Sequence, residues 1–183
     1  MTAGAWLGAA LALFALVAFV LGRRRGGARR AWLARERMPE ELRAARLLAS
    51  ERRFRCERPV ALSGAPDQVY RLADGRVVVV DTKRRPRAAV YEADVAQLSI
   101  YRVLLGAQKA YRDQEIAGYG YVRLATVEGV VYRRVELWDR DRVVALHRRY
   151  WALREGRTPA AGAPAAGLCR RCGHRGRCPQ ARA

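Results

Sequence analysis

Lysine is almost missing from this chain. Of its 36 basic side chains only two are lysine, Lys83 and Lys109, and the rest are arginine. Carboxylates are short as well: 17 of them leave a net charge of +19. A domain this basic meets polyanions, either nucleic acid or an anionic membrane surface. Arginine enrichment by itself is equally consistent with codon bias and a solvated surface. Cysteine is not spread through the chain in the pairs of a disulfide framework. Three of the four, Cys169, Cys172 and Cys178, fall within ten residues, and Cys56 stands alone. That clustering points to metal ligation instead. No Lys or Arg precedes the first apolar run and arginines follow it directly, which argues against a cleaved signal peptide. There is no internal repeat.

That apolar run, Ala5 to Leu21, has seventeen residues without a charge or a proline. It is long enough to cross a hydrocarbon core. Arg23, Arg24, Arg25, Arg29 and Arg30 follow it, so the positive-inside rule places everything after Gly22 in the cytoplasm. Residues 1–22 are therefore expected to be a transmembrane anchor and 23–38 a basic juxtamembrane linker. The folded domain is expected over 39–156, and a linker with the cysteine cluster over 157–183. Within the domain, residues 38–54 read as a helix that starts at Pro39, with Glu40 and Glu41 at its positive end. Residues 56–72 are strand-rich, and Ala73 to Gly75 are a hairpin turn signal. The run from Arg76 to Lys83 is apolar on both faces and so belongs at the centre of a sheet. Helix is predicted over 91–108, strands over 117–126 and 129–138, and a last helix over 139–156. This order makes a small α/β domain around a mixed sheet.

Chemistry concentrates where the valine run ends. Residues two apart in a strand share a face, so Asp81 and Lys83 project side by side. An acid and a base half-buried there are costly unless paired or bound to a ligand. The simple alternative is a salt bridge at a strand end. Asp67 lies fourteen positions before Asp81, on the strand that the turn folds back antiparallel. Two carboxylates that meet in this way repel unless a cation lies between them, the arrangement that holds Mg²⁺ on oxygen ligands. A neighbouring ammonium can then stabilise developing charge or orient water, a combination suited to phosphodiester hydrolysis.

"GAPD", followed fourteen residues after its Asp67 by "DTK", resembles the PD-(D/E)XK nuclease signature. "QLSIY" places Gln97 and Tyr101 at i and i+4 of the next helix, similar to the Q-x-x-x-Y motif of the RecB-like branch. "CRRCGHRGRC" is similar to the C-terminal cysteine triplet of CRISPR-associated exonucleases in that branch. The resemblance covers roughly residues 51–178 and implies a restriction-endonuclease-like mixed sheet flanked by helices. It implies that Asp67 and Asp81, with the Thr82 carbonyl, bind Mg²⁺ or Mn²⁺, and that Lys83 is the catalytic lysine. Gln97 and Tyr101 would position the DNA strand or the active-site groups. The family often carries a histidine before its first aspartate. Here the only histidines, His147 and His174, lie after it. Glu41 or Glu57 could partly stand in.

By the same resemblance, Cys169, Cys172 and Cys178 join a fourth cysteine around a [4Fe–4S] cluster, and Cys56 is the only candidate for that place. His174 inside the triplet offers the other solution, a Cys₃His zinc site. The leading expectation is a membrane-anchored, cytoplasmic, metal-dependent deoxyribonuclease. Two rival readings remain open: a nucleic-acid-binding module of the same fold without turnover, and a membrane-tethered metal-binding scaffold with its basic face on lipid.

Overall fold

Four consecutive valines set the centre of the fold. Val77, Val78, Val79 and Val80 are at most 1% exposed, and they lie in β5 (Val77–Arg84). The computed structural model describes residues 36–161, 166–170 and 172–181. The expected transmembrane segment lies outside them. Among the described residues no helix is long and apolar enough to cross a membrane. The chain divides into two units between Arg140 and Asp141.

In the first unit, β1 (Arg46–Ser50), β4 (Gln68–Arg71), β5, β6 (Tyr119–Thr126) and β7 (Gly129–Glu136) form one sheet in the order β1-β4-β5-β6-β7. Only the β5–β6 pair is parallel; the other three pairs are antiparallel. The central position expected for the valine run and the mixed sheet are both observed. The hairpin turn is there too, with Gly75 at φ +89°, a conformation natural to glycine. Alternation along β5 sends its side chains into two cores. Val77 and Val79 join Leu98, Leu104, Leu105 and Val122 on one face. Val78 and Val80 join Met38, Leu42, Tyr70 and Tyr121 on the other.

The crossover between the parallel strands carries α2 (Glu92–Gly106), close to its expected span. Glu92 and Asp94 suit its positive end, and Asp94 accepts the Tyr91 amide at 2.8 Å. Leu98, Tyr101, Leu104 and Leu105 recur on one face and are buried. A two-stranded sheet, β2 (Phe54–Cys56) with β3 (Leu62–Gly64), packs against this helix. Contact is close at Gly64, where an added Cβ would lie 2.7 Å from Tyr101 Cε1.

The helix expected over residues 38–54 is not formed. The structure has a four-residue helix, α1 (Glu40–Arg43), and then β1. Leu47, Leu48 and Ala49 are tolerable in either state, so pairing with β4 decides. Arg46 lies opposite Arg71 and Ser50 opposite Gln68, which satisfies the outer edge of β4.

The second unit begins within α3 (Arg140–Arg154), whose Val143 and Val144 are buried. After Gly156 at φ +71° come the short α4 (Ala166–Cys169) and a series of tight turns. Cys172 N–H donates to the Cys169 carbonyl, Arg175 to Cys172, Cys178 to Arg175 and Ala181 to Cys178.

Candidate active site

β4 and β5 deliver the two carboxylates. Gln68 pairs with Val80, so Asp67, one residue earlier, reaches the level of Asp81 and Thr82. Asp67 Oδ2 accepts the Thr82 amide at 2.7 Å, and this amide is the group of Thr82 seen in the site. β1, which stands where a helix is expected, has a role here. Ser50 Oγ and the Glu51 amide both donate to the Asp67 carbonyl at 3.1 Å, and so hold its backbone from the far side.

Asp81 and Lys83 share the α2 face of β5, as alternation requires. Asp81 is 2% exposed. Its Oδ1 accepts Gln97 Nε2 at 3.0 Å, and Lys83 Nζ stands 2.7 Å from its Oδ2. That ion pair is close but poorly aimed: no directed hydrogen bond reaches Oδ2, which is buried without a donor. Lys83 Nζ donates instead to Gln97 Oε1 at 2.7 Å. Gln97 Nε2 also donates to the Tyr101 hydroxyl at 2.8 Å. The i, i+4 pair on α2 therefore works as one unit: buried Tyr101 holds Gln97, and the Gln97 amide clamps both Asp81 and Lys83.

Burial pushes the Asp81 carboxyl above its ordinary range. Lys83 pulls it down by less, and the charges of Asp67 and Asp94 push it further up. A buried, partly unsatisfied oxygen with a second carboxylate nearby is a donor set for a hard divalent cation. Asp81 and Asp67 fit that role. Among the described residues no group of three or more His, Cys, Asp or Glu side chains is gathered as metal ligands.

A second ion pair, without a spacing signal in the sequence, braces the site. Arg85 donates to both Asp94 oxygens, at 2.6 and 2.7 Å, and to the Ala89 carbonyl at 2.7 Å, while its guanidinium lies 4.5 Å from the Tyr91 ring centre. This contact holds Asp94 well below the usual carboxylate range against its burial. It also fixes the loop that joins β5 to α2. Beside it, Arg84, Arg85, Pro86 and residues 125–127 line a cleft of about 500 Å³ at the ends of β5 and β6.

The remaining candidates lie elsewhere. Glu41 accepts from Tyr119 at 2.9 Å and from Tyr121, on the opposite face of the sheet. Next to it Glu36 takes Arg123 and, at 2.9 Å, Tyr132. Cys56 is in β2, where burial pushes its thiol up and its Sγ–H points to the Val60 carbonyl at 3.6 Å. Cys169, Cys172 and Cys178 belong to the second unit, Cys169 buried and Cys172 exposed, and none of the four cysteines forms a disulfide. His174 stands just before the 3₁₀ turn Arg175–Arg177, without a capping hydrogen bond from its side chain.

The sequence model of the PD-(D/E)XK nuclease superfamily matches residues 5–179. A solved structure described as the crystal structure of SSO0001 is 18% identical, with a TM-score of 0.45. That likeness covers 91% of this chain and 72% of the other. No curated protein matches the chain.

Proposed function

The chain belongs to the PD-(D/E)XK nuclease superfamily, and on that premise we propose that it is a Mg²⁺- or Mn²⁺-dependent deoxyribonuclease of the RecB-like type, exonuclease-like in action. The observation that carries the reading is Asp81 Oδ2, buried without a donor beside Lys83 and opposite Asp67. Asp67 and Asp81, with the Thr82 carbonyl, would hold the cation. Bound there, it supplies Lewis-acid activation of the phosphoryl group and of water. Lys83 brings a point positive charge to the scissile phosphate and orients the attacking water. Gln97 keeps the ammonium and the Asp81 carboxylate in register, and Tyr101 keeps Gln97 in register. The arginine-lined cleft beside the site receives the phosphate backbone, so binding weakens steeply with salt.

The closest rival is a nucleic-acid-binding module without turnover. One contact favours it: the Lys83 ammonium already neutralises Asp81 at 2.7 Å with no metal required. Digestion of linear DNA with Mg²⁺ or Mn²⁺ separates the two. Lys83→Ala and Lys83→Arg are each expected to lower the rate by roughly 10²–10³ and leave the fold intact by far-UV circular dichroism. Undiminished hydrolysis by either variant sinks the catalytic assignment. No cleavage by the wild type, with DNA binding retained, establishes the rival.

Two further proposals concern the ends of the chain. Residues 1–22 anchor the enzyme in a membrane with its domain in the cytoplasm, so their deletion should release it to the soluble fraction. Cys169, Cys172 and Cys178, with Cys56, hold a [4Fe–4S] cluster, or with His174 a zinc ion. Iron and zinc content and visible absorption after anaerobic purification distinguish these.

A further inference from the structure

One face of α3 is buried at its start and bare at its end. Val143, Val144, His147, Tyr150, Trp151 and Arg154 recur at helical spacing and so form a single stripe. The two valines are buried, but Tyr150 is 53% exposed and Trp151 39%. The rings at the bare end are ordered against one another. Trp151 Nε1 donates to His147 Nε2 at 3.1 Å, and the Tyr150 ring stands edge-on to Trp151 with centroids 5.5 Å apart. Arg154 lies 5.2 Å from the Trp151 ring centre and donates to the Tyr150 hydroxyl at 3.2 Å.

The charged group within this stripe is basic. Arg148 borders it and Arg154 closes it. Glu155, which follows Arg154 along the chain, is engaged by Arg157 at 2.5 Å. An aliphatic face would fit a protein partner. Aromatic rings interleaved with guanidinium groups fit stacked bases with a phosphate backbone alongside. Duplex DNA keeps its bases stacked inward, so rings presented this way gain only from unpaired ones. We propose that His147, Tyr150, Trp151 and Arg154 form a stacking platform for single-stranded nucleic acid, in the second unit and built on residues apart from the carboxylates. The choice of a nucleic acid over other polyanions rests on the nuclease reading.

The test is fluorescence anisotropy of the full chain carrying Lys83→Ala, with labelled oligo(dT) and with a labelled duplex. Tyr150→Ala and Trp151→Ala should each weaken oligo(dT) binding by roughly five- to a hundredfold, and duplex binding by less than about threefold. Alanine is the better helix former, so helical circular dichroism should not fall. Trp151→Phe keeps a ring and should recover most of the affinity. Oligo(dT) affinity unchanged in the alanine variants overturns the proposal, as does Trp151→Phe binding no better than Trp151→Ala. A loss of self-association or of liposome binding without a loss of oligo(dT) binding assigns the stripe to a second copy or a lipid surface and also overturns it. If the stripe binds oligo(dT) but Lys83→Ala leaves hydrolysis intact, the nuclease reading fails and the platform stands. If Lys83→Ala abolishes hydrolysis while the stripe variants bind oligo(dT) like their parent, the platform fails and the nuclease reading stands.

Discussion

Asp81→Asn separates what the carboxylate costs the fold from what it gives the site. The replacement keeps the side-chain shape and an oxygen for Gln97 Nε2, now 3.0 Å from Oδ1. It removes the charge and the oxygen that lacks a donor. It leaves an amide N–H₂ facing the Lys83 ammonium, which keeps its bond to Gln97 Oε1 and turns from Asn towards solvent. An unsatisfied buried acceptor costs about 1–3 kcal/mol, and the nearby ammonium offsets part of that. The direction of the Asp81 titration decides the balance. Its pKa lies above the ordinary 3.8, so burial outweighs the attraction of Lys83 and the ionised form is a net cost. Metal-free Asp81→Asn should therefore be more stable than wild type at neutral pH, by about 1 kcal/mol, or roughly 2–4 °C for a chain of this size. The pH dependence follows from the same inequality. The unfolded chain releases the proton near 3.8 while the folded one retains it, so wild type loses stability as pH rises from there through the higher folded value. The variant lacks that decline.

A divalent cation reverses the order. At a hundred times its Kd it adds about 2.7 kcal/mol to wild type, roughly 5–10 °C, and it should add almost nothing to Asp81→Asn. The assay is a set of melts by far-UV circular dichroism between pH 4 and 8, with and without Mg²⁺ or Mn²⁺. A metal-free variant that melts several degrees below wild type at neutral pH, and still gains as much from metal, refutes both the cost assigned to Asp81 and its place among the ligands.

Two other substitutions probe how the site is held. Gly64→Ala places a Cβ 2.7 Å from Tyr101 Cε1 and 3.3 Å from Leu104 Cδ1, so the ring must move. The cost should be about 1–3 kcal/mol in a urea titration. Hydrolysis should fall about tenfold as Gln97 loses its rest on Tyr101. Asp94→Ala leaves Arg85 without its bidentate partner and Tyr91 N–H without its acceptor. It should cost about 3 kcal/mol at pH 7. Because Arg85 holds the Asp94 carboxyl below 3.8, that contribution is present above 3.8 and lost as pH falls through the lower folded value. The gap between variant and wild type, read from urea midpoints, should narrow under strong acid.

What could be read from the sequence was whatever depends on neighbours along the chain. Four valines before Asp81 announce a central strand, because only a strand covered on both faces tolerates them. The turn at Gly75 then sets Asp67 against Asp81 by register alone. The Arg46–Ser50 segment carried no such signal. Its leucines suit a helix as well as a strand, and the unpaired edge of β4, which decides between them, is made by residues 68–71. The Arg85–Asp94 pair is hidden for a related reason. It joins residues nine positions apart along a path that depends on where α2 packs, and no periodicity encodes that distance. Nor does the sequence reveal that β3 approaches the Tyr101 ring at Gly64 so closely that a Cβ there would lie 2.7 Å from it.

Lys83 in β5 and Arg85 just beyond it show why they are different amino acids. Lys83 places one small ammonium 2.7 Å from both Gln97 Oε1 and Asp81 Oδ2. A planar guanidinium with donors spread over a fork cannot converge on that single point without displacing Gln97. Arg85, two residues on, has the opposite task. It spans both Asp94 oxygens at once and lies over Tyr91, which an ammonium can do only one contact at a time. In a chain that uses arginine almost wherever positive charge is wanted, Lys83 is one of two lysines, and its ammonium has to act as a point. Lys83→Arg is therefore the sharper of the two substitutions at this position. It preserves charge, composition and strand, and removes only the geometry that the proposed chemistry needs.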